Sequence, residues 1–263
     1  MSDLKPFLSF ARQLAAEAGV LASGYFRRTQ AWRKSDGTLV TEADEAANRL
    51  IVERIQTTWP GHAILSEEGA TTYDPGAEYT WVIDPLDGTT NFARGFPIWG
   101  VSVALLMDGA PVVGVVDFPL LHECYWATAG GGAFCNDERL QIDPAAHIDS
   151  QQIFTQCTRT PRRLRIQSPL KARMLGSATY HLLAVARGSS LVAVEITPKV
   201  WDLAGAALVV QEAGGVVDGL DSGPLLPLSP QTIDYVAVSW PTLAAANQQI
   251  LDEFRVSVTG TGD

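Results

Sequence analysis

Apolar residues recur at three- and four-residue steps near the start of the chain. Leu4, Phe7, Leu8, Ala11, Leu14, Ala15, Ala18, Leu21, Ala22, Tyr25 and Phe26 share one face, and this period predicts a helix over 4–28. A polar stretch, Arg33-Lys34-Ser35-Asp36-Gly37, precedes a second helix that opens near Thr41. Thr41 and Asp44 have the spacing of a capping box, with Asp in place of Glu or Gln. Ala47, Ile51 and Ile55 continue the apolar face, and Trp59-Pro60-Gly61 ends it.

The period then shortens. Residues 63–65 and 80–83 are short apolar runs, and 101–106, Asp108-Gly109 and 112–118 together predict a hairpin. Residues 124–127 form another predicted strand, and Gly130-Gly131-Gly132 a turn. From about residue 150 strands and helices alternate. Helices are predicted over 179–187, 201–213 and 241–254, and strands near 153–156, 191–195 and 235–238. The stretch 218–231, rich in Gly, Pro, Asp and Ser, reads as a surface loop. No repeat or linker interrupts the pattern. The expected architecture is α+β, one domain over 1–263 with two packed halves of about 1–145 and 146–263.

Composition narrows the function. The chain has 263 residues, 46% apolar and 18% charged, enough for a sizeable core. Its net charge of −10 and pI near 4.8 disfavour a basic groove for nucleic acid. An acidic protein still binds a small phosphate when divalent cations lie between them. Cys124, Cys135 and Cys157 form no CxxC pair, and His62, His122, His147 and His181 are scattered. A disulfide framework or structural zinc site is therefore not expected. No run approaches about 20 apolar residues, and no basic leader precedes an apolar run. These features read as a soluble, cytoplasmic protein without a membrane partner.

Chemistry concentrates in Trp81-Val82-Ile83-Asp84-Pro85-Leu86-Asp87-Gly88-Thr89-Thr90-Asn91-Phe92. An apolar strand delivers Asp84 at its end, Pro85 is expected to stop pairing, and Asp87 follows at a spacing that can turn both carboxylates to one side. Gly88 allows close backbone approach, and the amides of Gly88, Thr89 and Thr90 can face an anion. Carboxylates beside amides suit magnesium and phosphate. A capped turn remains an alternative reading of DxxDG by itself. Ser66-Glu67-Glu68-Gly69 likewise follows an apolar run, and its two glutamates are either solvated or relieved by a counterion. Asp202 opens a very apolar helix and can be read as its cap, and Asp44 as a first-turn charge.

Taken together these segments resemble the inositol monophosphatase family of lithium-sensitive, magnesium-dependent phosphatases. The resemblance covers nearly the whole chain. It runs from Lys34, Leu39-Val40-Thr41 and Asp44 through Glu67-Glu68 and the Asp84–Phe92 segment to Gly176-Ser177-Ala178, Glu195 and Trp201-Asp202-Leu203-Ala204-Gly205. It implies a layered α/β/α/β/α sandwich. It also implies two to three Mg2+ ions, the first on Glu67, Asp84 and the Leu86 carbonyl, the second on Asp84, Asp87 and Asp202, and a weaker third near Glu67. Gly88 and Thr89 amides would hold phosphate, and the Thr89 hydroxyl with Asp44 would orient the attacking water. Glu68 and Lys34 would support the site, while Gly176, Ser177, Ala178 and Glu195 would contact the alcohol. The implied mechanism is in-line attack by a metal-bound water, with two ions about 3.5–4 Å apart.

The substrate rim is less determined. Lys199 either adds charge near the alcohol pocket or is solvated. Arg159, Arg162, Arg163 and Arg165 form a basic loop, open to a second phosphate, to solvent or to a subunit contact. Cys157-Thr158-Arg159 aligns with a substrate-side loop. Inositol 1-phosphate leads as substrate, because Thr90-Asn91-Phe92 resembles the inositol-type branch. Histidinol phosphate, a sugar bisphosphate and a 3′-phosphoadenosine nucleotide follow. A partner-binding role, as in transcription-associated bacterial relatives, is the rival from another class, and a calcium module lacks its DxDxDG loop. Relatives usually form homodimers, and Phe96-Pro97-Ile98-Trp99 is either part of such a contact or core.

Overall fold

A computed structural model describes residues 3–34, 37–221, 223, 226–231 and 234–260. Ser35 and Asp36 of the first polar stretch lie outside the described residues. The helices are α1 (Lys5–Tyr25), α2 (Glu42–Thr58), α3 (Thr89–Arg94), α4 (Thr160–Arg163), α5 (Ala178–Ala186), α6 (Val200–Glu212) and α7 (Gln248–Val256). The strands of the first half are β1 (Ala31–Arg33), β2 (Leu39–Thr41), β3 (Ala63–Ser66), β4 (Tyr79–Asp87), β5 (Gly100–Met107), β6 (Ala110–Phe118), β7 (Glu123–Thr128), β8 (Gly132–Cys135) and β9 (Glu138–Leu140). Those of the second are β10 (Ile153–Gln156), β11 (Leu164–Ile166), β12 (Lys171–Arg173), β13 (Val192–Glu195), β14 (Val216–Gly219), β15 (Thr242–Ala245) and β16 (Val258–Gly260).

Two sheets alternate with three helical layers. Strands β3 to β9 form a seven-stranded sheet in sequence order, antiparallel except for the parallel β3–β4 pair. The second sheet has the order β12-β10-β13-β15-β14. Helices α1 and α2 pack on the first sheet, α1 against β5 and β6 and α2 against β4. Helix α6 meets β4 to β7 and also β14, and α5 meets β10 and β13, so this pair lies between the sheets. Helix α7 packs on β13 and β15. The result is the expected α/β/α/β/α sandwich.

Two local features position the site. The first is a bulge in β4. Pairing with β5 runs to Asp84↔Ser102, breaks, and resumes at Asp87↔Gly100. Pro85 therefore interrupts the ladder without ending it, which corrects the expectation that pairing stops there. In a regular strand residues three apart point to opposite faces; the bulge lets Asp84 and Asp87 serve one side. The second is a backbone-on-backbone contact between α6 and β6. A Cβ on Gly114 would lie 2.6 Å from the Gly205 carbonyl oxygen. The missing Cβ at Gly114 lets the helix that carries Asp202 sit this close to the sheet.

Most predicted elements are present. Thr41 caps α2, with Asp44 completing the box, and Asp108 and Gly109 both have positive φ in the β5–β6 turn, as a tight hairpin requires. Three expectations fail. The predicted helix 241–254 is strand β15 followed by α7, which is capped by Asn247, whose side chain accepts from the Ile250 amide. Residues 242–245 are helix formers by composition, but they are buried between β13 and β14, and pairing overrides propensity. The predicted strand 235–238 does not form; Tyr235 instead buries its ring against Tyr73 and Trp240. Strand β14 begins before, and runs into, the stretch read as loop from 218. The basic loop is also ordered structure, with 160–163 helical and β11 paired to β16. Trp99 is core, whereas Phe96 is 62% exposed.

Candidate active site

Asp84, Asp87 and Asp202 converge, each offering a carboxylate oxygen within 4.8 Å of the others'. The first two come from the β4 bulge and the third from the first turn of α6. Each is held by hydrogen bonds from its own surroundings, Asp84 and Asp202 through one oxygen and Asp87 through both. Asp84 Oδ1 accepts from the Leu86 amide at 2.9 Å, and Asp202 Oδ2 from the Lys199 amide at 2.6 Å. Asp202 is thus both a helix-end partner and a member of the cluster, so the two readings of this residue hold together. Asp87 Oδ2 accepts from the Ser177 hydroxyl at 2.5 Å, from the Thr179 amide at 3.0 Å and from the Thr179 hydroxyl. Asp87 Oδ1 accepts only from the Ala178 amide, at 3.2 Å.

The electrostatics favour a cation. Burial, then the neighbouring Glu67, Asp87 and Asp202, push the Asp84 carboxyl well above its usual range. Burial, then Asp87 and Glu67, do the same to Asp202. Burial raises Glu67 to about 7, although Lys34 pulls the other way. The ion pairs among the described residues put no Lys or Arg on Asp84, Asp87 or Asp202. Buried carboxylates crowded without a cation are costly, and a divalent ion with oxygen preference relieves that cost. The donor set, all oxygen, fits magnesium.

Lys34, Glu67 and Glu68 form the flank. Lys34 Nζ donates to Glu67 Oε1 at 3.2 Å and to Glu68 Oε1. Burial lowers the Lys34 ammonium, but the two carboxylates outweigh it and the net direction is upward. Asn48 fixes the turn beneath them, accepting from the Ser66 hydroxyl at 2.6 Å and donating to the Glu68 carbonyl at 3.1 Å.

Thr89 sits at the first turn of α3. Its hydroxyl has Asp44 Oδ1 at 3.2 Å and the Leu86 carbonyl at 3.1 Å as acceptors. Asp44 Oδ2 accepts from the Thr41 amide and hydroxyl at 2.8 and 2.5 Å. Asp44 is therefore a capping residue and the partner of Thr89 at once. Burial raises its carboxyl to about 6, against the pull of the Thr41 bonds. Gly88 adopts φ 87°, and a Cβ there would lie 3.0 Å from the Ile98 carbonyl oxygen. The amides of Gly88, Thr89 and Thr90 have no intrahelical acceptor, since α3 begins there.

A cavity of about 490 Å3 joins Glu67, Asp84, Asp87, Thr89 and Asp202 to Gly176, Ser177, Ala178 and Glu195, while Lys34, Asp44 and Glu68 lie outside its lining. Asn91 connects its two sides, donating to the carbonyls of Ile98 at 2.8 Å and Leu175 at 2.7 Å. The Ser177 hydroxyl is committed to Asp87 and to the Tyr180 amide, and the Ala178 amide also turns to Asp87. These groups, expected on the alcohol, line the cavity and also hold a carboxylate of the cluster. Cys157, Thr158 and Arg159 line the cavity as the sequence suggested, with Arg159 Nη1 donating to Thr197 Oγ1 at 2.8 Å. Lys199 lines a neighbouring chamber of about 560 Å3 that shares Glu67, Arg159, Thr197 and Asp202 with the main cavity, and its ammonium donates to the Val236 carbonyl at 2.6 Å.

Sequence reasoning missed His181, Arg33 and Arg94, which also line the main cavity. His181 lies one turn after the Ser177 cap, so its placement follows from α5. Nothing in a lone histidine signals that in advance.

Comparison with known proteins agrees with this geometry. The inositol monophosphatase family profile matches residues 3–256. A Nus factor SuhB of Pasteurella multocida (strain Pm70) is 36% identical over 250 residues, 88% of this chain and 94% of its own. A histidinol-phosphatase of Chlorobaculum parvum (strain DSM 263 / NCIMB 8327) is 38% identical over 223 residues, 81% of this chain and 85% of its own. Among solved structures, a Thermotoga maritima IMPase superposes with a TM-score of 0.81 at 28% identity, covering 96% of both chains. The chain belongs to the inositol monophosphatase family.

Proposed function

We propose that this chain is a magnesium-dependent phosphatase of small phosphate monoesters, with inositol 1-phosphate the first substrate to test. The observation that carries the reading is the convergence of Asp84, Asp87 and Asp202 in a cavity that also holds Glu67 and Thr89. Glu67, Asp84, Asp87, Asp202 and the Leu86 carbonyl would hold two to three Mg2+ ions. Bound magnesium would supply Lewis-acid charge to the phosphoryl and leaving oxygens.

The chain's own groups perform the rest. Amides of Gly88 and Thr89 bind phosphate oxygens. The Thr89 hydroxyl directs its one proton to Asp44 or Leu86, which leaves its lone pairs to accept from a water and aim it at phosphorus. Asp44, ionised above about pH 6, accepts the proton that Thr89 relays. Glu68 and Lys34 keep Glu67 in place. Glu195 and the Gly176 backbone face the alcohol. The relative named a Nus factor brings a partner-binding role into view; the full carboxylate set supports catalysis beside any such role. The family's homodimer habit is part of the same reading, with Phe96 at the contact.

The test is phosphate release from inositol 1-phosphate, histidinol phosphate, fructose 1,6-bisphosphate and 3′-phosphoadenosine 5′-phosphate in magnesium buffer. Turnover of one ester, lost in Asp202→Asn, is expected. Folded, magnesium-binding protein that releases phosphate from none of them overturns the reading.

A further inference from the structure

Glu195, which the proposed function turns to the alcohol, is half of a buried polar pair whose other member, His181, has no role yet. His181 is 1% exposed and Glu195 3%, and both line the cavity. His181 Nδ1 lies 2.5 Å from Glu195 Oε1. On the other side of the ring, the Leu175 amide donates to Nε2 at 2.8 Å. An amide N–H can only donate, so Nε2 must be the acceptor nitrogen. The ring's proton is then on Nδ1, where it donates to Glu195. Both nitrogens are engaged, and the ring can neither flip nor change tautomer without losing a bond.

We propose that His181 is a positioning residue that aims the Glu195 carboxylate at a hydroxyl of the substrate's alcohol, and so sets preference for hydroxyl-bearing phosphate esters. The inference rests on the phosphatase reading above. Glutamate has three side-chain torsions, and an unanchored carboxylate in a cavity would sample several directions. His181 holds one oxygen, and the Cys157 thiol is a further donor to the same carboxylate. A carboxylate accepts about four bonds, so lone pairs remain for substrate hydroxyls. Burial holds the imidazole's pKa down at about 4, so at neutral pH the ring is uncharged and the pair is a hydrogen bond rather than an ion pair. Burial and then Asp87 push the Glu195 carboxyl well above its usual range, and Oε1 accepts from Nδ1–H in either protonation state. The anchor is rigid because Leu175 belongs to the segment that Asn91 ties to the site's first side.

Two variants separate positioning from plain structure. His181→Asn keeps a donor close to the Nδ1 position and loses the acceptor for Leu175. His181→Gln keeps an acceptor close to the Nε2 position and loses the donor to Glu195. Steady-state kinetics compare inositol 1-phosphate with phenyl phosphate, whose leaving group has no hydroxyl besides the ester oxygen. The expected result is a three- to tenfold fall in the kcat/KM ratio of the inositol ester over phenyl phosphate in His181→Gln, expressed mainly in KM, and a ratio close to the parent's in His181→Asn. Equal losses on both esters, an unchanged ratio in His181→Gln, or a ratio that falls in both variants overturns the proposal. If the unaltered protein hydrolyses neither ester, the phosphatase reading fails first, and the two failures are told apart.

Discussion

The two sides of the cavity are built differently. The carboxylate side takes Asp84, Asp87, Gly88 and Thr89 from one short run, and its geometry follows from a bulge, a left-handed glycine and a helix start. The opposite side draws on separate segments: Gly176 before α5, His181 within it, Glu195 at the end of β13, and Arg159 and Thr197 in loops. The first side is local chemistry that tertiary packing completes with Asp202. The second exists only once the two sheets have been layered. The acidic cluster is encoded compactly, while the opposite wall is assembled from parts far apart in sequence.

Substitutions can break that contrast, and the largest effect belongs to the carboxylate side. Asp202→Asn is expected to lower turnover about a thousandfold or more, equal to about 4 kcal/mol of transition-state stabilisation. Its metal-free melting temperature should hold or rise, because the amide still accepts from Lys199 and a buried like charge is gone. A melt in EDTA beside a phosphate-release assay checks both, and a large loss of stability would refute the idea of a strained carboxylate cluster. Next, Thr89→Ala should cost about a hundredfold in kcat, with Thr89→Ser recovering most of it. The magnesium-induced rise in melting temperature should survive in Thr89→Ala, since no carboxylate changes.

The third effect is on pH. Asp44 and Glu67 have folded pKa values of about 6 and about 7 against ordinary values of 3.8 and 4.5, and Asp84 and Asp202 are raised as well. The folded chain therefore holds more protons than the unfolded chain between about pH 4 and about pH 7, and metal-free stability should fall as pH rises through that window. Magnesium should flatten the fall at its upper end, where it binds the ionised carboxylates. Melting curves from pH 5 to 8 with and without magnesium decide this; a metal-free midpoint that climbs with pH is the contrary result. The smallest effect is expected across the cavity. Arg159→Ala frees Thr197 and should change KM about threefold with kcat nearly constant, and the size of the change should differ among phosphate esters.

The sequence made the carboxylate side readable for a physical reason. Strand, proline, aspartate and glycine at fixed spacing leave few conformations, and Thr41 with Asp44 declares a helix start in four residues. The hairpin at Asp108-Gly109 was readable for the same reason. Elements set by distant partners were not. Thr242–Ala245 has the composition of a helix and becomes a central strand because β13 and β14 flank it. The bond from Ser177 to Asp87 spans 90 positions, and His181 gains its role from Leu175 and Glu195, neither of which marks it in sequence.

The contact between Gly114 and Gly205 has a mechanical meaning. Main chain rests on main chain there, and nothing compressible lies between. The joint acts as a hard stop that gauges how far Asp202 stands from Asp84, much as a machinist's block sets a gap. Side chains elsewhere in the layer can be exchanged and repacked while the stop stays put, so the spacing of the two carboxylates is set by main chain and not by the packing around it.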